Sequence, residues 1–190
     1  PAGLLTMATD TERSRSVYAA LREAANRKRP SEKIFIVHRL DRETSGVLVV
    51  AKTQAAFSCL KEQFKNRGVQ KVYNAFLYGV PKSREIVIDL PIGRSRSDFR
   101  KFSAEYGAQG TLREATTAYR VLQEGKEAVY VEACPQTGRT HQIRVHFKAL
   151  GHPVVCDKLY APRRVCILGF SRLALHARML TFTHPNGTHI

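Results

Sequence analysis

At 190 residues and 43% hydrophobic, the chain can bury one sizeable core and has no need of two full domains, so one compact unit is expected. Thirty-one Lys and Arg against 16 Asp and Glu leave a formal charge of +15, a field that draws polyanions and makes nucleic acid the first partner to consider. The sequence has no apolar run near the roughly 20 residues that span a bilayer, and no leader-like apolar stretch opens it. Its four cysteines, Cys59, Cys134, Cys156 and Cys166, show neither zinc-type CxxC pairs nor the density of a disulfide scaffold, so a soluble protein in a reducing, cytoplasmic setting is expected.

In chain order, Ser16 to Asn26 places Val17, Leu21 and Ala24 at helical spacing and predicts a short amphipathic helix. The β-branched runs Ile34 to His38 and Val47 to Ala51 predict two buried strands around a polar loop, Arg39 to Gly46. Thr53 can cap a helix from Gln54 to Asn66 with Phe57, Leu60 and Phe64 inward and Gly68 as its stop. Val69 to Val80 reads as a strand on which Lys71 and Tyr73 share a face. Arg94 to Lys101 is basic and aperiodic, and predicts a mobile loop. Ala115 to Leu122 and Ala128 to Cys134 predict a hairpin about Gly125. Thr140 to Leu150 carries Ile143, Phe147 and Leu150 on one helical stripe, closed by Gly151. Arg144 falls on the neighbouring stripe, from which it is expected to leave the core face and meet a ligand. The remainder, with VVC, LGF and MLTFT, predicts short strands. Strands that neighbour one another with helices interspersed indicate an α+β fold.

The chemistry-bearing segment is HRLDRETSG. It sets one carboxylate, Asp41, between Arg39 and Arg42 on a loop between apolar strands. A carboxylate beside fixed positive charge stays ionised at neutral pH, and an ionised Asp can act as nucleophile or base. Together with KVYNA (Lys71 to Ala75) and TGRTHQIRVH (Thr137 to His146), this loop resembles the signature of the RluA-type RNA pseudouridine synthases. PAGLL, PIGR, ATTAYRVL, GHPVVCDKLY and LALHARMLTFTHP extend the resemblance, in order, over nearly the whole chain, which is far more specific than one short motif. The resemblance implies a catalytic domain over residues 1–190, cut at both ends from something longer and lacking an upstream RNA-binding domain. It implies an α+β fold with a mixed, mostly antiparallel central sheet, flanking helices and a central RNA-binding cleft. The implied activity converts selected uridines of ribosomal or transfer RNA to pseudouridine, without metal or cofactor, in a monomer. Carried onto matching positions, Asp41 is the catalytic aspartate, Tyr73 the active-site tyrosine, Arg144 the partner of the aspartate and Arg39 the arginine that displaces the target base. Two positions depart from the family pattern: Cys156 and Ala161 stand where glycines are common.

Physical chemistry agrees with these assignments. Uracil must leave its ribose at a nitrogen, turn, and rejoin through carbon-5. Asp41 could attack the anomeric carbon, attack the ring, or remove a sugar proton, and the residues do not choose among these routes. Arg144 can hold a carboxylate through two parallel hydrogen bonds, a role for which Arg139 competes. Tyr73 can stack on uracil and take part in the late proton transfer from carbon-5. Flipping the target nucleotide costs a few kcal/mol. Arg39, Arg42, Arg94, Arg96, Arg100, Lys101 and Arg139, with Arg163 and Arg164, are the candidate contacts to RNA that would offset it. His141 and Gln142 are expected beside the active site. The histidines lack HExxH spacing, so no metal is predicted. Two rivals share these residues: an inactive RNA-binding module of the same fold, and a metal-dependent nuclease using Asp41, Asp89 and Asp157. Retention of Asp41, Tyr73 and Arg144 together favours the synthase.

Overall fold

The computed structural model describes residues 2–7, 16–28, 32–104 and 107–190. Where composition predicts one compact unit, the chain divides into two, residues 1–70 with 179–190 and residues 71–178. Separate apolar clusters account for the division, one around Leu60 and others around Phe147 and Val145.

In the first unit, α1 (Val17–Lys28) starts where the Ser16 hydroxyl accepts from the Ala19 amide at 3.1 Å. Its buried position is Ala25 rather than the predicted Ala24, because the inward line runs in steps of four from Val17 through Leu21. The two predicted strands shrink to two-residue pieces, β1 (Phe35–Ile36) and β3 (Val50–Ala51), with β2 (Ser45–Gly46) between them in sequence. Phe35 pairs with Ala51 and Ile36 with Val50, antiparallel. The helix α2 (Gln54–Lys65) follows its sequence pattern: Thr53 accepts from the Ala56 amide, and Leu60 is buried against Val37 and Ala51 with Phe57 and Phe64 around it. At its end Arg67, not Gly68, takes the left-handed conformation at φ 60°, while the Gly68 amide bonds the Gln63 carbonyl at 2.8 Å. The Gln63 amide then bonds Thr183 in both directions, at 2.7 and 2.8 Å, and Phe182 joins the same core.

The second unit contains β4 (Gln70–Tyr78), β5 (Glu85–Asp89), β6 (Ile92–Ser95), β7 (Phe102–Ala104), β8 (Ala108–Arg113), β9 (Thr116–Glu124), β10 (Ala128–Pro135), α3 (Gln142–Ala149) and the start of β11 (Leu175–Thr181). The fold is α+β, with a mixed central sheet in which β11, β4, β10, β9 and β5 lie in that order. The β4/β10, β10/β9 and β9/β5 ladders are antiparallel, and β9 and β10 form the predicted hairpin, closed by the Gly125 amide on Ala128 O at 2.9 Å. A separate three-stranded sheet, ordered β7, β6, β8, takes Arg94 and Ser95 of the predicted loop at Arg94 to Lys101, and residues 96–101 form a loop between β6 and β7. The loop is the tight end of the β6/β7 hairpin, held by the Lys101 amide on Asp98 O at 2.9 Å. VVC and LGF form turns rather than strands, since Val154 makes only an isolated bridge to Leu77. Cys156 takes φ 58°, the glycine-like conformation, although it carries a Cβ. It is joined to Cys166 by a disulfide, a link that the cysteine spacing alone does not announce.

The core of this unit centres on Phe147, Leu77, Val129, Val131 and Val154, with Tyr119 meeting Phe147 edge-on at 5.2 Å between ring centroids. One imidazole lies inside it. His146 is fully buried, with Nε2 donating to Leu90 O at 3.0 Å and Nδ1 receiving the Thr117 hydroxyl at 2.9 Å, an arrangement that suits the neutral ring. Burial pushes its pKa below the ordinary value. The unfolded chain therefore binds more protons than the folded one, and this contribution to stability is complete above about pH 6.5 and is lost as pH falls below it. The thermal unfolding midpoint is expected to drop between about pH 7 and pH 5, and less steeply in His146→Gln; equal slopes in calorimetry would contradict this assignment.

Candidate active site

Asp41 lies in the first unit on a loop tied down along its length. The Thr6 side chain, almost wholly buried, both accepts from the Leu40 amide at 3.0 Å and donates to the Leu40 carbonyl at 3.1 Å. The Gly3 amide bonds Arg42 O at 2.7 Å, and the Thr44 amide bonds Asp41 O at 3.0 Å, closing a turn that exposes Arg42 and Glu43. On the entering side, His38 Nε2 accepts from the Val49 amide at 3.0 Å and its ring stacks on Phe64 at 4.8 Å. Asp41 is half-buried and Arg39 exposed. A short polar loop would ordinarily sample many conformations, and these bonds restrict its backbone to one.

In the second unit, Tyr73 sits on β4 opposite Ala133 of β10, half-buried, and Lys71 two residues earlier donates to Thr137 O at 2.8 Å. That bond anchors the Thr137 to His141 turn at the start of α3. Gln142 secures the turn from inside: its Oε1 receives the Thr137 hydroxyl at 2.7 Å and the Arg139 amide at 2.9 Å, and its Nε2 donates to Thr116 O and Thr117 Oγ1, both at 2.9 Å. With its amide employed in four internal bonds and its side chain buried, Gln142 positions the turn rather than reaching substrate.

Arg144 departs from its predicted place. The helix α3 is buried on every side from Gln142 to Phe147, so the stripe next to the core is itself core, and Arg144 is 5% exposed. Its Nε and Nη2 donate to the two oxygens of Asp157 at 2.7 and 2.8 Å. The two-bond fork predicted for Asp41 is thus made with Asp157, a residue read from sequence only as a metal ligand. Asp157 Oδ1 also accepts the Leu159 and Tyr160 amides at 3.0 and 2.9 Å, so its carboxylate is consumed by hydrogen bonding. Tyr160 completes the group: its ring lies under the Arg144 guanidinium at 4.9 Å, and its hydroxyl bonds His141 Nδ1 at 2.9 Å and the Phe102 amide at 3.0 Å. His141 itself takes φ 57° at the head of α3. Sequence carried one usable signal for this group, the tight Cys156-Asp157 turn of GHPVVCDKLY, because an Asp that accepts following amides is a turn-former.

The basic residues divide. A cleft of about 660 Å³ is lined by Arg94, Arg113 and Arg139 together with Phe102, Gln109 and Thr140. Arg94 stacks over Phe102 at 4.5 Å, and Arg139 Nε is held by Glu114 O at 2.8 Å, which fixes the direction of both. Arg96 Nε donates to Ala108 O at 2.9 Å. Arg100 forks Asp98 at 3.0 and 2.8 Å, with Lys101 3.5 Å away, and this pairing holds the Asp98 carboxyl well below the usual carboxylate range. Arg100 and Lys101, predicted as phosphate contacts, therefore already serve an acid, though an exposed pair of this kind is weak and its remaining donors face water. Arg163 and Arg164 are exposed, the latter over the Tyr78 ring at 5.0 Å.

Comparison with known proteins covers both units. A family model described as RNA pseudouridylate synthase matches residues 1–149. An uncharacterized RNA pseudouridine synthase of Synechocystis is 41% identical over 150 residues, covering 79% of this chain and 46% of that protein. The dual-specificity RNA pseudouridine synthase RluA of Salmonella typhimurium is 43% identical over 150 residues, covering 78% and 67%. Among solved structures, human RNA pseudouridylate synthase domain containing 1 superposes with a TM-score of 0.75 at 32% identity, covering 90% of this chain and 72% of that one. The chain spans about half the length of most of the curated relatives it matches.

Because Arg144 and Asp157 have 6% and 0% exposed side chains, removing one takes a two-bond partner from the buried charge of the other. Asp157→Ala is expected to lower unfolding free energy by about 3–5 kcal/mol, and Arg144→Met to cost a comparable amount. The double variant should be far less destabilised than their sum, because both buried charges have gone. Additive losses in urea titrations would mean that the pair is not coupled.

Proposed function

The chain belongs to the RNA pseudouridylate synthase family, and from that membership we propose that it isomerises selected uridines in RNA to pseudouridine, with residues 1–190 acting as the catalytic domain. The observation that carries the reading is the tethered HRLD loop: within the family-matched segment, a carboxylate between two arginines stands on a backbone secured at Leu40, Arg42 and Thr44. Catalysis through a carboxylate requires that it be aimed before substrate arrives, since misplacement by about 1 Å can cost on the order of 100-fold in rate.

Asp41 starts the chemistry, either at the anomeric carbon, at the ring, or by taking a sugar proton. The bond between the ribose and the uracil nitrogen breaks, the base turns within the site, and a bond forms from carbon-5 to the ribose. Carbon-5 then gives up its proton and the freed nitrogen gains one, so atoms balance without an external reagent. Tyr73 flanks the base and assists the proton transfer at carbon-5. Arg144 supplies a placed guanidinium, and its fork with Asp157 and the Tyr160 ring beneath it limit the directions it can point. Arg39 fills the space left by the flipped nucleotide. Arg42, Arg94, Arg96 and Arg139 take phosphates, and His141, held by Tyr160, borders the site. Ribosomal or transfer RNA is the substrate class that the likeness to RluA-type enzymes supports, in a cytoplasmic setting. Among the described residues, no helix is long and apolar enough to cross a membrane.

The test is pseudouridine formation on unmodified total RNA in the presence of chelator, mapped by nucleotide. The parent is expected to give site-specific product, and Asp41→Ala at least about 1,000-fold less with RNA affinity changed by no more than a few-fold. An intact parent that binds RNA and yields no product would move the reading to an RNA-binding module. Metal-dependent strand cleavage would move it to a nuclease.

A further inference from the structure

Phe99 is the most exposed of the large hydrophobic side chains among the described residues, at 84%, and nothing in the reaction above uses it. It lies at the second position of the Asp98–Lys101 turn that ends the β6/β7 hairpin. The turn is unusually well fixed for a surface tip. Asp98 Oδ1 accepts the Arg100 amide at 3.0 Å, the Arg100 guanidinium forks the same carboxylate, and Arg94 Nη1 donates to Phe99 O at 3.2 Å. The ring is held out from the protein by its own backbone.

We propose that this turn is a stacking platform, with Phe99 as the surface that receives an unpaired base of the RNA, a step that rests on the reading of this chain as an RNA-modifying enzyme. A phenyl ring offers flat apolar faces and no hydrogen-bonding atoms. Its neighbours favour RNA over a protein surface as the occupant. Its chain neighbours from Ser95 to Lys101 include no other large apolar residue, so a protein interface would find one ring and little else to bury on this turn. Arg94 pairs with Phe102 on the rung before the loop, Arg96 lies within the loop, and Arg94 lines a cleft with Arg113 and Arg139. Asp98, the acid of this turn, is matched by Arg100 and Lys101. A lone aromatic in a basic field suits a polyanion that carries flat faces of its own, and single-stranded or looped RNA presents unstacked bases that a duplex does not.

The experiment compares the parent chain with Phe99→Ala, Phe99→Leu and Phe99→Trp. The probes are a mixed-sequence single-stranded oligoribonucleotide carrying 2-aminopurine and a blunt RNA duplex, each titrated over a range of salt. Phe99→Ala and Phe99→Leu should weaken single-strand binding by roughly 5- to 100-fold and abolish the 2-aminopurine signal change, while Phe99→Trp restores both. Duplex affinity and the slope of log affinity against log salt should stay at the parent's values, because no phosphate contact is touched. Thermal unfolding of Phe99→Ala should match the parent, since the ring is barely buried. Unchanged single-strand binding in Phe99→Ala, or full restoration by Phe99→Leu, would overturn the proposal. Pseudouridine formation by the parent is measured beside it: no product with intact Phe99-dependent binding sinks the synthase reading alone, and product with Phe99-independent binding sinks the platform alone.

Discussion

The Arg144–Asp157 pair is the interaction on which the second unit turns. Both side chains are inside the protein, where taking each charge from water costs several kcal/mol, and that cost is recovered only if every donor and acceptor is met. Asp157 meets the requirement with four bonds: two from the guanidinium and two from the amides that follow it in the chain. The same carboxylate thus decides the direction of Arg144 and the shape of the turn that brings Tyr160 beneath it. Tyr160 in turn accepts from the Phe102 amide, so the head of α3 and the β6/β7 hairpin share one support. An apolar pair of the same volume would fold at least as well. What it could not do is present a guanidinium in a defined orientation.

The first unit fixes its loop through bonds to the main chain, two of them from the Thr6 side chain. A carboxylate consumed by donors, as Asp157 is, has nothing left for substrate, and the role we propose for Asp41 calls for a different setting. The loop is instead secured through its main chain at Leu40, Arg42 and Thr44, and the Asp41 side chain is half-buried. Two carboxylates in one chain thereby stand in different surroundings, Asp157 spent on architecture and Asp41 half-buried on a tethered loop.

How much of this was legible depended on range. The α2 cap at Thr53 and its Phe57, Leu60 and Phe64 stripe rest on residues a few positions apart, and so does the β9/β10 hairpin about Gly125. Such patterns can be read locally. The HRLD loop was legible through its likeness to a family, and the tethering from Gly3 and Thr6 was not, because nothing in either residue announces a partner more than 30 positions away. Arg144 was misplaced because stripe analysis assumes a helix with a wet side, whereas α3 is enclosed. The basic segment 94–101 has no periodicity because its order comes from Asp98 bonding to Arg100 and Lys101 within one turn. The partition into two units follows from which apolar clusters meet, and composition has no access to that.

The surface acids also bear on how a chain with a formal charge of +15 handles RNA. Glu132 bonds both Arg120 and Arg178, Glu124 bonds Arg84, Asp98 bonds Arg100, and Glu32 bonds Lys52. Exposed pairs of this kind add little to stability. They do leave the net charge untouched while removing isolated negative spots that would repel a passing phosphate. Long-range attraction to a polyanion is therefore preserved, and toward a nucleic acid such attraction is blind to sequence, because every nucleotide carries the same phosphate. On the proposed reading, choice among uridines has to come from contacts whose strength does not depend on charge, such as the fit of a flipped base and stacking at the edges of the site. In that proposal, electrostatics bring RNA to the surface, and a few placed uncharged groups decide which nucleotide stays.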